Sequence, residues 1–389
     1  MHRKEFDFSD IVIVVFLVVT SGYLGIGSVT GITIPMFLLS ALLFFYKKGK
    51  LGRSSIALLI VFSLLLIVQR SIWGGSIGNI LSVELQLISF ALLASCIEKS
   101  FAKLFPRVVC VIAAISLFFY VIDHLGGHGI LLSIAKSFPI HLENQNDTMD
   151  GYSFLLYVVD ADGSFRNCGP FFEPGRYIVV LLIAFSINLI RKETIFDIEN
   201  SVLLISILTT VSLSGIATLL VILAVFLIKK EKRKPWVVIL LLLAAIFVLY
   251  PVLSQSEYFG GKLLDNYEKL DDSNSRFGAL LYLWSQVIDS PIVGYGPAIF
   301  IFDEFEVLEV SSPNGWGELM RYWGIPMSIF CFVLLYRCAK TLTIENLGGK
   351  TVFLLASILV AFSQSVMMTP LYYVLYFLGV HSFQINSRH

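Results

Sequence analysis

Apolar runs of about 15–22 residues recur from one end of the chain to the other, separated by short polar breaks. A helix needs about 20 such residues to cross a bilayer. In lipid only helices or closed barrels satisfy every backbone N–H and C=O. Strict alternation of apolar and polar positions is absent, so the expected fold class is an all-α polytopic membrane protein. The pattern predicts twelve spans: 10–27, 29–46, 54–69, 80–97, 108–122, 175–190, 201–213, 215–228, 235–250, 315–336, 351–367 and 370–386. The pair 201–228 has short arms, with Ser212, Ser214 and Gly215 at its centre. It reads as one long helix or as a hairpin that stops short of the far face. The first run follows a basic start and lacks a small-residue cleavage site, so it reads as an uncleaved first helix.

This spacing divides the chain into five parts: helices one to five (1–122), a long polar segment (123–174), helices six to nine (175–250), a second long segment (251–314), and the last three helices (315–389). Segments this long between helices are usually functional or disordered, and neither has a disordered composition. Within the first, ILLSIAKSF (130–138) suits an interfacial helix, and YSFLLYVVDADGSF (152–165) reads as a hairpin turning at Asp160–Gly163. Within the second, DDSNSR (271–276) offers helix-capping residues. A helix from there to about 290 would place Phe277, Leu280, Leu281, Trp284, Val287 and Ile288 on one face, resting on the membrane surface.

Composition agrees with the pattern: 57% of residues are apolar and 14% charged, where soluble domains carry roughly 25% charge. The zero net charge hides an asymmetry. With a cytoplasmic N-terminus, 20 of the 28 lysines and arginines fall inside. The outer set is Arg70, Lys136, Arg166, Arg176, Lys262, Lys269, Arg276 and Arg321. This is the positive-inside pattern, and it places both termini in the cytoplasm. Four cysteines lie in or beside spans and only Cys168 lies in an outer segment, so the outer face has no disulfide framework within one chain. The 32 Phe and 16 Tyr read mainly as lipid-facing bulk.

The chemistry concentrates in SFRNCGPFFEPGR (164–176), which sets Arg166, Glu173 and Arg176 at the mouth of an apolar helix. Such groups are costly beside hydrocarbon unless water or an anion meets them. The outer basic set holds five arginines to three lysines, and guanidinium forks suit phosphate or diphosphate. Arg276 opens the amphipathic helix, where the helix dipole adds to its charge. Arg166 either meets a second phosphate or orders the hairpin. Glu318 either faces a cavity or pairs with Arg321 one turn on, and Arg321 reads as structural. Glu84 sits about one turn inside the fourth helix and reads as a structural carboxylate; Arg70 reads as an interface anchor. His124 and His128 read as solvated loop histidines because GGHG does not look helical, so no metal is expected. There is no P-loop and no GxGxxG after a strand. Nothing calls for a nucleotide cofactor or a nucleic-acid partner. An outer-face enzyme without nucleotides needs a donor that arrives activated, and a polyprenyl-diphosphate sugar is one.

FFEPGR (171–176), TTVSLSG (209–215), SRFGALLYLWSQVIDSPIVGYGPAIF (275–300) and PNGWGELMRYWGIP (313–326) occur in this order and spacing. Together they resemble the bacterial O-antigen polymerase/ligase superfamily, the Wzy-type polymerases and their ligase relatives. The resemblance covers residues 150–340 by motif. It implies a GT-C-like, metal-independent glycosyltransferase of the bacterial inner membrane. That enzyme polymerises undecaprenyl-pyrophosphate-linked repeat units into O-antigen, capsule or exopolysaccharide, and a chain-length regulator is a candidate partner. By motif position it assigns diphosphate binding to Arg176 and Arg276, with Arg166 beside them, and a substrate-binding motif to Asn314. Glu318 and Glu173 are the candidate catalytic carboxylates. Ser312 and Pro313 precede Asn314 where ligases often carry histidine, which favours polymerase over ligase. Leu213 stands before Ser214 and Gly215, and no arginine follows the serine as it does in many relatives. A lipid-linked oligosaccharide flippase is a third reading, which twelve spans would suit, but no repeated halves with midplane polar sites are visible.

Overall fold

The computed structural model describes residues 7–23, 30–137, 141–143, 150–161, 166–171, 173–230, 276–298, 314–342, 347–362 and 364–386. The expected span 235–250 and most of the second outer segment lie outside the described residues. Every other expected span coincides with a helix. These are α1 (Phe8–Tyr23), α2 (Thr30–Tyr46), α3 (Arg53–Trp73), α4 (Ile77–Ile97), α5 (Phe101–Ile122), α7 (Pro174–Lys192), α8 (Ile198–Thr209), α9 (Leu213–Lys230), α11 (Gly315–Leu342), α12 (Leu347–Phe362) and α13 (Pro370–Asn386). Two shorter helices lie in the long segments: α6 (His128–Lys136) and α10 (Arg276–Asp289). Among the described residues, α3, α4, the run Phe101–Lys136, α7 and α11 are long and apolar enough to cross a membrane. The 201–228 pair is two helices, broken at residues 210–212. At 1.5 Å per residue α8 is only about 18 Å long, short of a bilayer core.

Burial separates bundle interior from lipid face. On α3, Leu58, Phe62, Leu66 and Gln69 are buried, while Ile56, Ile60, Leu64 and Ile67 are exposed. That one-sided stripe belongs to a peripheral helix. By contrast α7 from Pro174 to Leu189 and α13 from Leu371 to Val380 are almost wholly buried, as expected of central helices. Part of the aromatic load is core and not lipid-facing bulk: Phe62, Phe90, Trp323, Tyr372, Tyr373 and Tyr376 are fully buried. Phe62 packs on Trp323 at 4.7 Å and Phe90 stacks on Tyr373 at 5.6 Å. Trp323 Nε1 donates to the Tyr373 hydroxyl at 2.6 Å, so this core is also joined by its polar edges.

Helix α11 is two helices end to end. Gly324 adopts φ 77°, ψ 164°, a conformation open to glycine and strained for other residues. Pro326 follows and has no N–H to give the Tyr322 carbonyl four residues back. The exposed backbone groups find partners from outside. Ile325 N–H donates to Pro291 O at 2.7 Å and Tyr295 N–H to Arg321 O at 2.8 Å. Gln69 Nε2 donates to Tyr322 O at 2.7 Å. The PIVGYGP turn (291–297) is therefore stitched into the break, and α10 before it packs against the outer part of α11.

The first outer segment differs from expectation in two places. DHLGG (123–127) joins α5 to α6 through a kink that is non-helical at Leu125 and Gly126, and His128 begins α6 instead of lying in a solvated loop. Gly126, at φ 96°, absorbs the kink. Asp123 accepts from the Tyr157 hydroxyl at 2.8 Å and lies 2.7 Å from His128 Nδ1, which ties this turn to the sheet. Burial first, and then the Asp123 bond, push the Tyr157 hydroxyl well above its usual range. The hairpin is present, but its strands β2 (Asp150–Phe154) and β3 (Tyr157–Asp160) turn at Leu155–Leu156. Asp160 ends a strand instead of opening the turn. Pairing Phe154 with Tyr157 leaves a two-residue loop, the tightest hairpin connection. A third strand, β1 (His141–Glu143), pairs antiparallel with β2.

Candidate functional site

Five segments that the charge pattern assigns to the outer side meet at one end of the bundle. They are the end of α1, residues 166–176, the α8–α9 turn, the start of α11, and residues 361–369 between α12 and α13. Each junction is visible in a specific contact.

Pro174 is the first residue of α7, where its missing N–H costs nothing, and Glu173 precedes it with extended backbone. Arg176 then sits in the first turn. Its Nη1 donates to Gly22 O at the end of α1 at 3.1 Å, and its Nε lies 3.8 Å from Glu173 Oε2. The two side chains remain 24% and 41% exposed. Glu173 thus orients the guanidinium without sequestering it. Arg166 Nε donates to Thr210 O in the α8–α9 turn at 3.1 Å. This contact ties Arg166 to the α8–α9 turn and not to the hairpin.

Behind the arginines lies Asn167, fully buried. Its Oδ1 accepts from Ser116 Oγ at 2.7 Å and Gly169 N at 2.9 Å, while Nδ2 donates to Thr209 Oγ1 at 3.1 Å. Its backbone N–H donates to Thr209 O at 2.9 Å. One amide therefore links α5, the 166–171 loop and the end of α8. Cys168 beside it is buried, which pushes its thiol up to about 12 and makes it a poor nucleophile. Gly215, after the turn, leaves room for Ile178 of α7; a Cβ there would lie 1.7 Å from Ile178 Cδ1.

The α11 start is built differently. Asn314 caps it: Oδ1 accepts from Trp316 N and Gly317 N, both at 3.0 Å, and the side chain is buried. Glu318 accepts a hydrogen bond from Ser365 Oγ. Arg321 Nη1 donates to Gln286 Oε1 of α10 at 2.9 Å, a packing role. The α7 and α11 starts converge on residues 361–366. A Cβ on Gly175 would lie 2.2 Å from Gln364 Nε2, and one on Gly315 would lie 2.5 Å from Gln364 O. Arg176 and Glu318 thus flank the same short segment, Gln364–Ser365.

Helix α10 runs beside α11 in parallel, with Leu283 against Gly317 and Gln286 on Arg321. Its packed face is Leu283, Gln286 and Val287, while Leu281 and Ile288 are exposed. The expected apolar face was therefore wrong in grouping Val287 with Leu281 and Ile288, because Val287 packs inward. Arg276 opens α10, but its side chain lies outside the described residues. The seven residues from Leu283 back to Arg276 carry the backbone about 10 Å along the helix, beyond the Asn314 end of α11.

Away from this cluster, Glu84 is half-buried on α4. Gln86 donates instead to Thr33 of α2 at 3.0 Å, so the two do not form a shared lining. Arg70 is exposed at the outer end of α3. Sequence reasoning missed Asn167, Gln364 and Ser365. The signal for the last two was the polar run SQS (363–365), which falls near the end of the expected span 351–367.

A family model described as O-antigen ligase matches residues 200–319. That range runs from the start of α8 through α10 to the first turn of α11 and includes Arg276, Asn314 and Glu318. No curated protein and no solved structure matches the chain.

Proposed function

We propose that the chain is a glycan polymerase of the O-antigen polymerase/ligase superfamily, a reading that the family match over residues 200–319 supports. In this reading it joins undecaprenyl-pyrophosphate-linked repeat units at the outer face of the cytoplasmic membrane. The observation that carries this is the convergence on Gln364–Ser365 of two helix starts, one bearing Arg176 and Glu173, the other Glu318. A cation partly open to solvent and a carboxylate, on two helix starts that pack on one segment, suit a reaction with an anionic leaving group and a hydroxyl nucleophile.

The acceptor sugar hydroxyl attacks the anomeric carbon of the donor glycan, and the anomeric C–O bond to the diphosphate breaks. Glu318 takes the hydroxyl proton, exchanging its Ser365 bond for one to the acceptor. The electron pair leaves with the diphosphate, whose growing charge Arg176 stabilises, with Arg276 approaching from the start of α10. Glu173 keeps Arg176 aimed. Arg166 holds the α8–α9 turn beneath them. The Asn314 cap fixes where Glu318 points. No step requires a metal or a nucleotide.

Purified protein given lipid-linked repeat units should release polyprenyl diphosphate and lengthen the glycan. A flippase would release none, and that result would end the transferase reading. The ligase reading has the description of the matching family in its favour. A deletion strain separates the two: a lost polymerase leaves one repeat on the final acceptor, whereas a lost ligase removes even that repeat.

A further inference from the structure

We infer that Gln69, on α3, is a positioning residue for this site: its side-chain amide fixes the outer part of α11, which carries Glu318, to the PIVGYGP turn. This rests on the transferase reading for its catalytic consequence and on geometry for the rest.

The need arises from the α11 sequence. The Gly324 break and Pro326 separate residues 315–323 from the membrane-spanning remainder, so the rest of the helix does not fix their direction. The Tyr322 carbonyl loses its donor because residue 326 is proline. Gln69 replaces it from another helix. Its Nε2 donates to Tyr322 O and to Val293 O, both at 2.7 Å. Both acceptors are backbone carbonyls, which cannot donate, so the amide orientation is fixed by its partners. Gln69 is 1% exposed.

The same residue carries a defect that packing alone does not explain. Among the described residues, Gln69 Oε1 is buried with no hydrogen-bond partner. A Cβ on Gly296 would lie 2.0 Å from it, so the turn has a glycine where the amide needs room. An apolar side chain would avoid the stranded oxygen, but it would supply neither N–H. What Gln69 provides is therefore the pair of donors that joins the two segments. Trp73, one turn on, reinforces the joint: Nε1 donates to Gly294 O at 3.0 Å and its ring packs on Tyr295 at 4.7 Å. Glu318 lies one turn before Tyr322, so any swing of this short helix about Gly324 moves its carboxylate relative to Arg176 on the unbroken α7.

The test compares Gln69→Leu with Gln86→Leu. Gln86 is also a buried glutamine that donates across helices, but on the α2–α4 pair. In Gln69→Leu, amide hydrogen exchange should speed up at Tyr295 and Ile325, whose N–H groups close the joint. Turnover should fall on the order of 10²-fold, as about 1 Å of misplacement can cause, with KM for the lipid-linked donor within about twofold. Gln86→Leu should lower thermal stability and leave exchange at those two amides and kcat alone. If Gln69→Leu matches Gln86→Leu in both exchange and kcat, the inference is overturned. Faster exchange with unchanged kcat also overturns the positioning role. A wild-type protein without turnover sinks the transferase reading separately, and the exchange comparison then judges the joint itself.

Discussion

Two helices begin at the same end of the bundle, both packed on the segment around Gln364, and are built on opposite plans. Helix α7 is continuous, buried nearly all round, and opens on Pro174 with no side-chain cap. Its direction is set by packing, so Arg176 sits on a fixed post. Helix α11 opens on a buried asparagine cap, breaks at Gly324, and depends on Gln69 and the PIVGYGP turn to close the break. A diphosphate that must be gripped through the whole reaction suits the rigid post. A carboxylate that must meet acceptors growing in length suits a short segment whose angle is set by a few bonds. On the proposed polymerase mechanism, this difference would give leaving-group binding to α7 and acceptor handling to α11.

The largest expected effect falls on the rigid post. Arg176→Ala should cut turnover by about 10²–10³-fold, the cost of losing one donor to a developing oxyanion. Arg176→Lys should recover only part, because an ammonium lacks the planar fork that matches a diphosphate. The surface-polysaccharide length ladder in cells and polyprenyl diphosphate release in vitro both read this. An unchanged ladder at normal expression would show that α7 does not carry the grip.

Much of this architecture was legible in the chain because membrane helices announce themselves by continuous apolar runs. Of the twelve apolar runs, all but 235–250, which lies outside the described residues, coincide with helices, and the five segments that the charge pattern expects on one side converge at one end of the bundle. The hairpin turn was misplaced because DADG is a strong turn sequence, while the observed turn at Leu155–Leu156 has no glycine and is set by pairing Phe154 with Tyr157. The α10 face was misread because helical spacing does not say which stripe meets a neighbour; Gly317 of α11, receiving Leu283, decides it. Gln69 was invisible for a different reason. Its partners are carbonyls more than 220 residues away, and it looked like an ordinary polar residue at the end of a span. The break that requires it was written in GIP (324–326), but the donor that repairs it was not.

Next in size are two glycines at the point where the helices meet. In Gly315→Ala the new methyl meets backbone, Gln364 O at 2.5 Å and Ala361 O at 3.0 Å. In Gly175→Ala it meets the end of the Gln364 side chain at 2.2 Å. Backbone does not give way and a glutamine side chain can swing. Gly315→Ala should therefore destabilise by about 1–3 kcal/mol, the usual cost of overpacking, and Gly175→Ala by less. Melting in detergent micelles checks the order. If Gly175→Ala costs more, Gln364 is held as firmly as backbone, and the gap between the two starts is more rigid than the contrast implies.

The smallest effect tests the caps themselves. Asn314→Ala removes the acceptor of the Trp316 and Gly317 N–H groups and should cost about 1 kcal/mol, as cap losses do. Glu173→Ala, at the equivalent position of α7, should cost almost nothing through capping, because its side chain makes no cap bond. The functional consequences should run differently. Loss of the Asn314 cap lets the first turn of α11 fray and so loosens Glu318, which should lower kcat more than it raises the donor KM. Loss of Glu173 frees Arg176 to swing away from its 3.8 Å partner, which should raise the donor KM more than it lowers kcat. If both variants shift the same constant, the division of labour between the two helix starts is wrong, even if each residue matters.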